Sequence, residues 1–521
     1  MHIVKNVCEA LVCTLLNMKG KSKDHKKGRA DLVELGLRPE LHPEGDNLPP
    51  SCITLSREEK KELCEFFKSV KVPSGYSANI GSNFSVPDLK VVGKLKSHTC
   101  HIIITALLPV AIRNILPMKV REAIMSFCFF FNAISQKVID PMSLEDLEKN
   151  LIKTVCDLEM FFPPSFFDMM VHLSVHLVKE IYYLGPVYLH QMFPYERYLA
   201  ILKSYVRNRS LPEGCIVQGY STEEVLEWCA SYMDPENPIG VPKSPQEGRL
   251  AGKGTLGKRQ VSPDPEAFEQ AHFLVLQQIS QVSVYIDEHK ELLRLENPER
   301  SVYWLSKQHM TNFNQWFKVR IRESSDKSEL LRKLAAGPMF TVTTYQGYEI
   351  NGYTFYTIAQ DKKSIYQNSG VRIDAYDSSG QKSAYYGQIE EIWELSYGTF
   401  TVPLFKCRWV QGTTGVQQDR FGFTTVDLNH LGFRREPFVL AKHVQQCFYV
   451  MDTMKKKRSV VLSGKRRIVG VENVSDEDEY NQFDEIPPSV SSSINLVNTS
   501  DGTSYLRTDH NEGVRVPRPR K

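Results

Sequence analysis

The sequence predicts a multidomain α+β protein: a mainly helical N-terminal region, a small β-barrel domain towards the C-terminus and a disordered tail. Three observations carry this. Apolar residues recur at helical spacing from Met1 to about Met233. The period switches to alternating and β-branched residues near Gly337. Beyond residue 453, charged and polar runs replace both patterns. With 521 residues the chain is too long for one compact core. The composition divides it into a helical domain over 1–233, a linker over 234–264, a helical extension over 265–335, a small β-barrel over 336–452 and a basic and acidic tail over 453–521.

Each element has a local cause. In "SREEKKELCEFFKSV" Ser56 stands three residues before Glu59, and Leu63, Phe66, Phe67 and Val70 share a face, so a capping box opens an amphipathic helix. In "SLEDLEKNLIKTVCDLEMFF" Ser143 is the expected cap, and Leu144, Leu147, Leu151, Val155 and Leu158 form the buried stripe. Pro163-Pro164 stops that helix and opens another, expected to run to Leu184 and to close at Gly185-Pro186. Residues 234–268 are crowded with Pro, Gly and Lys, which reads as a linker. A helical stretch follows, in which the spacing of Trp304, His309, Phe313 and Trp316 points to packing against a neighbour. In "MFTVTTYQGYEINGYTFYTI" Asn351-Gly352 is a hairpin signal, and "YYGQIEEIWELSYGTFTVPLFKCRWV" reads as two strands joined by a glycine turn. Short strands ending near Tyr449 fit a small barrel.

Composition narrows the function. A formal charge of +3 gives no global attraction to nucleic acid, so any such binding rests on local basic patches. The 11 cysteines are odd in number and scattered through apolar runs, which predicts reduced thiols in the cytosol or nucleus. The apolar stretch "HIIITALLPVAI" is followed by Arg113 and falls short of the ~20 residues a membrane span needs, so no membrane association is expected.

Several residues could carry chemistry. On a helix His172 and His176 lie one turn apart on the same side, with Asp168 one turn earlier. Two imidazoles so spaced can chelate zinc, but a tetrahedral site needs further ligands, and the plainer reading is a polar stripe on an apolar helix. Glu196 follows Pro194 and belongs to a first helical turn, where the macrodipole favours a carboxylate; its functional alternative is a divalent-metal ligand. In "SHTCH" His98 and His101 form another candidate half-site, or cap a helix beginning near Ile102. The sequence holds no glycine-rich phosphate loop, Cys-x-x-Cys pair or nucleophile elbow. Lys455, Lys456, Lys457 and Arg458, followed by Lys465, Arg466 and Arg467, have the spacing of a nuclear import signal within the tail.

Taken together, "MHIVKNVCEALVCTLLNMKGKSKDHKKGRADLVELGLRPELHP", "LKSHTCHIIITALLPVAIRNILP", "VHLSVHLV", "GPVYLHQMFPYERYLAILKSYVRNRSLPEGCI" and "YYGQIEEIWELSYGTFTVPLFKCRWV" resemble the C-terminal half of the transposases of plant CACTA (En/Spm-like) elements, over Met1 to about Tyr449. The resemblance implies a helical and a β-rich domain of unknown function that follow a ribonuclease H-like core. In such a core two aspartates and a glutamate hold divalent ions, with Mg²⁺ the cofactor of the full-length family. Related transposases and the V(D)J recombinase carry a zinc site of a Cys-x-x-Cys pair and a later histidine pair shortly before that glutamate. By this analogy His172 and His176 match the histidine pair and Glu196 the third acid. The family's two aspartates and cysteine pair lie upstream of the segment that starts this chain, so the expectation is a catalytically incomplete, truncated or degenerate protein. One glutamate cannot fix two ions about 4 Å apart, and zinc would be held weakly unless His98 and His101 complete a four-histidine site.

These readings lead to a protein that binds rather than reacts, in the nucleus, with element DNA or protein partners and no small-molecule substrate. No cofactor is expected for the chain alone beyond candidate zinc. Arg197, Lys203, Arg207 and Arg209, beside Glu196, are the candidate DNA contacts, and the tail offers Lys455 to Arg458 as further ones. Two alternatives remain: a chromatin or protein-interaction module, whose recognition surface would be Tyr385, Tyr386, Trp393, Tyr397 and Trp409 of the barrel, and a transposase subunit whose missing acids come from another chain.

Overall fold

The computed structural model describes residues 1–45, 47–77, 79–187, 190–232, 252–323, 328–376, 382–466, 505–510 and 514–515. It is a mixed α+β structure, with helices dominating as far as residue 232 and strands dominating from residue 342.

The helical region is built around α1 (His2–Leu15), whose Val7, Cys8, Leu11, Val12 and Leu15 are all buried. A helix apolar on most sides must be enclosed. α2 (Lys26–Glu34) holds Arg29, 1 % exposed, against Asp24 through Nε–Oδ1 at 2.5 Å and Nη2–Oδ2 at 2.8 Å, and Arg29 also donates to the Leu41 and Pro49 carbonyls. One guanidinium thus pins the loop that leads to β1 (Asn47–Leu48). α3 (Arg57–Ser69) opens with the expected capping box, Ser56 accepting from the Glu59 N–H and Glu59 from the Ser56 N–H, and buries Leu63, Phe66 and Phe67. A short hairpin, β2 (Phe84–Ser85) and β3 (Lys90–Val91), precedes α4 (Ser97–Ile102).

α4 runs through a wide π-turn, Ile103–Leu107, into α5 (Leu108–Ala111). Pro109 has no N–H to offer the Thr105 carbonyl one turn back. Asn132 of α6 (Met118–Ile134) supplies the missing donor, its Nδ2 lying 3.1 Å from that oxygen. α7 (Leu144–Glu159) buries Leu144, Leu151 and Leu158 as expected, with Leu147 and Val155 packed at the margin. Ser143 stands at its N-cap but its side chain makes no capping bond: Asp140 caps a preceding 3₁₀ turn, and the Ser143 hydroxyl donates to the Asp140 carbonyl. The expected helix from Pro164 to Leu184 is broken into a 3₁₀ turn, α8 (Met169–Ser174) and α9 (Leu177–Leu184), the last closed at Gly185 with φ +81°. α10 (Phe193–Ser204) and α11 (Pro212–Tyr232) follow as a hairpin.

Residues 253–261, expected within the linker, form β4 (Lys253–Leu256) and β5 (Arg259–Val261); residues 233–251 of that stretch lie outside the described residues. α12 (Pro265–Gln277), capped by Asp264, α13 (Ser283–Glu296), α14 (Val302–Glu323) and α15 (Glu329–Ala336) then pack on one face of the sheet. Their Phe268, Phe273, Phe313 and Phe317 share a core with Trp393, Leu395, Leu404 and Phe438 of the strands.

The strands are β6 (Val342–Tyr345), β7 (Gly347–Ile350), β8 (Tyr353–Tyr356), β9 (Gly370–Tyr376), β10 (Lys382–Ser396), β11 (Thr401–Val410), β12 (Val416–Gln418), β13 (Thr424–Val426), β14 (Leu431–Gly432), β15 (Phe438–Leu440), β16 (Gln445–Met451) and β17 (Ser459–Ser463), with α16 (Ile358–Lys363) after β8. β7 and β8 join through Asn351 and Gly352 at φ +54° and +79°, the two left-handed positions that an Asn-Gly turn provides. The main antiparallel sheet runs β12-β13-β17-β16-β9-β10-β11-β14, with β6 also on β10, β15 on β11 and β5 on β6; β4-β7-β8 form a separate small sheet. β10 is long enough to take β9 along its first half and β6 near its end, and it carries a bulge between Ile389 and Glu391 against β11.

The sheet extends past the expected boundary at 452. Residues 459–463 pair with β16 from Cys447↔Ser463 to Met451↔Ser459, so the start of the expected tail is a core strand with Val460 fully buried. The reason is local: "SVVLS" is β-branched and alternating between two charged clusters, and burial on one face outweighs its charged flanks. Further along, β18 (Val514–Arg515) pairs with β1, and Arg507 is 7 % exposed. The other residues of the expected disordered tail, 467–504, 511–513 and 516–521, lie outside the described ones.

The helical and β-rich regions share one core, in which Phe421, Phe423, Phe448, Val450 and Val460 of the strands and their loops meet residues of α1 and of α3 to α9. Arg113, 3 % exposed, crosses between them: its Nε lies 3.1 Å from Asp452 Oδ1, it also donates to Asp419, and its guanidinium stands 5.2 Å from the Phe423 ring centre. Removing one partner of such a pair leaves the other charge buried and costs about 3–5 kcal/mol. Arg113→Ala should therefore lower the urea midpoint strongly, and Arg113→Leu combined with Asp452→Leu should lower it less than either single change. An unchanged midpoint in Arg113→Ala would show that the pair adds nothing to stability.

Candidate metal centre and basic hairpin

His172 lies in α8, opened by Asp168, whose carboxylate accepts from the Met170 and Val171 N–H groups and pairs with Lys23 Nζ at 2.7 Å. Asp168 is thus occupied as a cap and ion-pair partner. His176 falls in the break between α8 and α9, where it stands as the N-cap of α9. The rings are exposed and meet edge to face, with centroids 5.0 Å apart and Nε2 atoms 3.3 Å apart. That separation equals what two nitrogen ligands of one tetrahedral zinc would show, given Zn–N of about 2.0–2.1 Å. It equally suits one neutral imidazole donating to the other.

His98 and His101 do not join them. Both lie within α4, which begins at Ser97 rather than near Ile102, and both are buried. His98 Nε2 lies 2.6 Å from the Tyr76 carbonyl, so it donates there. Ser135 gives its proton to the Phe131 carbonyl at 2.6 Å and accepts from His101 Nε2 at 3.3 Å. The Nε2 of each is committed as a donor. α1 packs on α4 and on α8. Among the described residues no group of three or more His, Cys, Asp or Glu could hold a metal ion.

Glu196 sits in the first turn of α10, half-exposed, with His2 Nε2 3.9 Å away. It belongs to no group of three or more His, Cys, Asp or Glu that could hold a metal ion among the described residues. The described residues therefore fit neither a closed zinc site nor a pair of divalent ions. Removing metal should leave the fold untouched: chelator treatment, or His172→Ala, is expected to leave the thermal midpoint within about 1 °C, since surface changes stay near 0.5 kcal/mol. A drop of several degrees on chelation would show a structural metal here.

Burial holds His98 well below the usual histidine range, with Lys465, His101 and Lys96 adding to it, and pushes His101 down to about 3, with Lys465 adding. Burial also takes His272, which bonds the Tyr397 hydroxyl, down to about 4. These rings are neutral in the folded protein while the unfolded chain takes protons from about pH 6.5 downward. The unfolded state then binds more protons, so this stability is complete above about pH 6.5 and is lost as pH falls towards 3–4, at up to about 1.4 kcal/mol per unit per ring. Urea titrations between pH 7 and 4.5 should show a falling midpoint, with a shallower slope in His272→Gln; equal slopes would overturn the assignment.

The basic residues expected beside Glu196 fall on the α10–α11 hairpin. Lys203 is in the last turn of α10, Arg207 and Arg209 are in the connection, and all three are exposed; the side chain of Arg197 lies outside the described ones. The hairpin closes where the Tyr205 ring covers Gly219, whose place a Cβ would contest at 2.7 Å, and where the Tyr205 hydroxyl donates to Glu223. Neither α10 nor α11 contains a described buried residue. Instead Tyr195, Leu199, Val217, Leu226 and Trp228 are 59–65 % exposed, a surface that composition alone did not reveal because its apolar residues follow no single stripe.

The expected import clusters do not share one exposed tail. Lys455, Lys456 and Lys457 are exposed on the turn between β16 and β17, while Arg458 donates to the Gly415 and Thr425 carbonyls. Lys465 is 4 % exposed, Arg466 donates to the Asn351 carbonyl, and Arg467 lies outside the described residues. The barrel aromatics are core: Tyr386, Trp393, Tyr397 and Trp409 are 2–6 % exposed, and Tyr385 packs at the margin of a core cluster. They therefore offer no aromatic recognition surface.

Comparison with known families gives two matches. A family model described as Domain of unknown function (DUF4218) matches residues 134–239, and one described as Domain of unknown function (DUF4216) matches residues 393–461. The first spans α7 to α11 and so includes His172, His176, Glu196 and the basic hairpin; the second runs from β10 into β17. No curated protein and no solved structure matches the chain. Among the described residues no helix is long and apolar enough to cross a membrane.

Proposed function

We propose that the protein is transposase-like, of the CACTA (En/Spm-like) kind, and acts by binding DNA through the α10–α11 hairpin rather than by cutting it. Two matched domains of unknown function, helical then β-rich, agree in order with the resemblance read from the sequence. The observation that carries the binding reading is the exposed trio Lys203, Arg207 and Arg209 on a hairpin that buries nothing of its own within the described residues. Cations free to meet phosphates give affinity that is salt-dependent and weakly sequence-specific. Paired divalent ions need several converging carboxylates, and no group of three or more His, Cys, Asp or Glu that could hold a metal lies among the described residues. Exposed Lys455, Lys456 and Lys457 support delivery to the nucleus.

A protein partner is the second reading, favoured by the same hairpin's exposed Tyr195, Leu199 and Trp228. The two separate in a salt titration. Duplex DNA binding should weaken with log salt, and replacing Lys203, Arg207 and Arg209 by alanine should flatten the slope by about 0.9 for each phosphate that is no longer neutralised. An unchanged slope would remove the hairpin from DNA recognition, and magnesium-dependent nicking by the purified chain would overturn the binding-only reading.

A further inference from the structure

The segment Tyr505–His510 lies extended along residues 50–54. Tyr505 O accepts from the Cys52 N–H at 2.8 Å, the Arg507 N–H donates to Pro50 O at 3.0 Å, and Leu506 bridges Ser51 antiparallel. β18 continues the pairing on β1, through Asn47↔Arg515 and Leu48↔Val514. The C-terminal segment therefore adds a strand to the edge of the helical region, the main-chain mode by which many domains capture peptides.

One side chain anchors it. The Arg507 guanidinium reaches the Glu59 carboxylate through Nη1 at 2.8 Å and Nη2 at 3.0 Å, and the Thr54 carbonyl through Nη1 at 3.2 Å. Asp509 closes the other edge, its Oδ1 2.9 Å from Nε. Beside it His510 Nε2 contacts the Thr54 carbonyl at 3.2 Å, and the Arg38 guanidinium stands 5.1 Å from the Tyr505 ring centre.

The socket is held by residues that do not depend on the tail. Glu59 is fixed by its own helix, as the Ser56 N–H donates to Oε2 at 2.8 Å, and by the Leu116 N–H, which donates to Oε1 at 3.1 Å. Preorganised acceptors cost little to engage. The segment adds nothing to the apolar core: within 505–510 only Arg507 is buried, and no described residue of it belongs to a hydrophobic cluster. Residues 467–504 are its covalent link to the body, which holds it near the socket at high effective concentration.

We infer that the groove along residues 47–59 is a peptide-recognition site for an extended segment carrying Arg-x-Asp, and that residues 505–510 are its ligand in cis. A second segment of the same chemistry can then replace the tail, and the groove alternates between a self-bound and a partner-bound state. Because each such ligand competes with a tethered copy, only a partner at high local concentration gains the site.

The test uses the full chain. Arg507→Ala empties the anchor while Glu59 keeps its capping role, and a fluorescent synthetic peptide of residues 503–516 is the probe. Saturable binding to the Arg507→Ala chain, at least ten-fold weaker binding to the unaltered chain, and no binding of a peptide with Arg507 replaced by alanine would support the inference. No binding to the Arg507→Ala chain, or equal binding of both peptides, would overturn it. So would an Arg507→Ala chain that no longer unfolds cooperatively, since the segment would then be part of the fold rather than a ligand. An unaltered chain that is dimeric, and becomes monomeric on Arg507→Ala, would overturn the assignment in cis and place the tail in a second copy.

Discussion

A guanidinium that cannot be deprotonated, placed where almost no water reaches, must find anionic partners or the fold does not close. Arg113 is that group, and both of its carboxylates, Asp419 and Asp452, come from the β-rich region. The loop that carries Asp419 also inserts Phe421 and Phe423 into the helical core and sets Arg420 3.2 Å from Glu122 of α6. Charge and apolar burial therefore act at one seam. The helical and β-rich regions therefore share packing and ion pairs at that seam, although the sequence reads as a string of separable domains.

That seam decides which polar residues are available for function. α4 lies on its inner side, so His98 and His101 are drawn into the interior and used as hydrogen-bond donors, next to Lys465 from the end of the sheet. α10 and α11 contain no described buried residue. His172, His176, Glu196 and the basic connection of the hairpin are exposed. The same residue type has opposite roles in "SHTCH" and "VHLSVHLV", buried on α4 and exposed at α8.

Local grammar was legible where a few adjacent residues settle the outcome. Ser56 with Glu59, Gly185 after α9 and Asn351-Gly352 each satisfy their own backbone requirement, and each is found as the sequence indicates. What was not legible depends on contacts hundreds of residues apart. The strand "SVVLS" is marked only by its own alternation, while its pairing with β16 and the burial of Val460 come from the tertiary fold. The separation of the two histidine pairs likewise follows from where α4 and α8 pack, and "His-x-x-x-His" spacing holds no information on that. The hairpin's exposed aromatics are a further case, since the sequence shows that a residue is apolar and not whether a partner element exists to cover it.

Arg113 and Arg507 present the same chemistry in two settings, and the comparison separates a structural ion pair from a reversible one. Both guanidiniums bridge positions hundreds of residues apart and both are nearly enclosed. Around Arg113, aromatic and aliphatic residues from both regions pack continuously, so parting the carboxylates would also expose that apolar surface. Around Arg507 the neighbours are a carboxylate, a carbonyl and a capping box, with no cluster of apolar residues drawn from its own segment. Water can replace those partners at modest cost, because a hydrogen bond exchanged with solvent changes the balance by only about 0.5–1.5 kcal/mol, or about 1.5–3 where a charge is involved. Apolar burial has no such substitute. Burial of the charge alone therefore does not distinguish permanent from exchangeable contact; what decides is whether hydrophobic surface is buried with it.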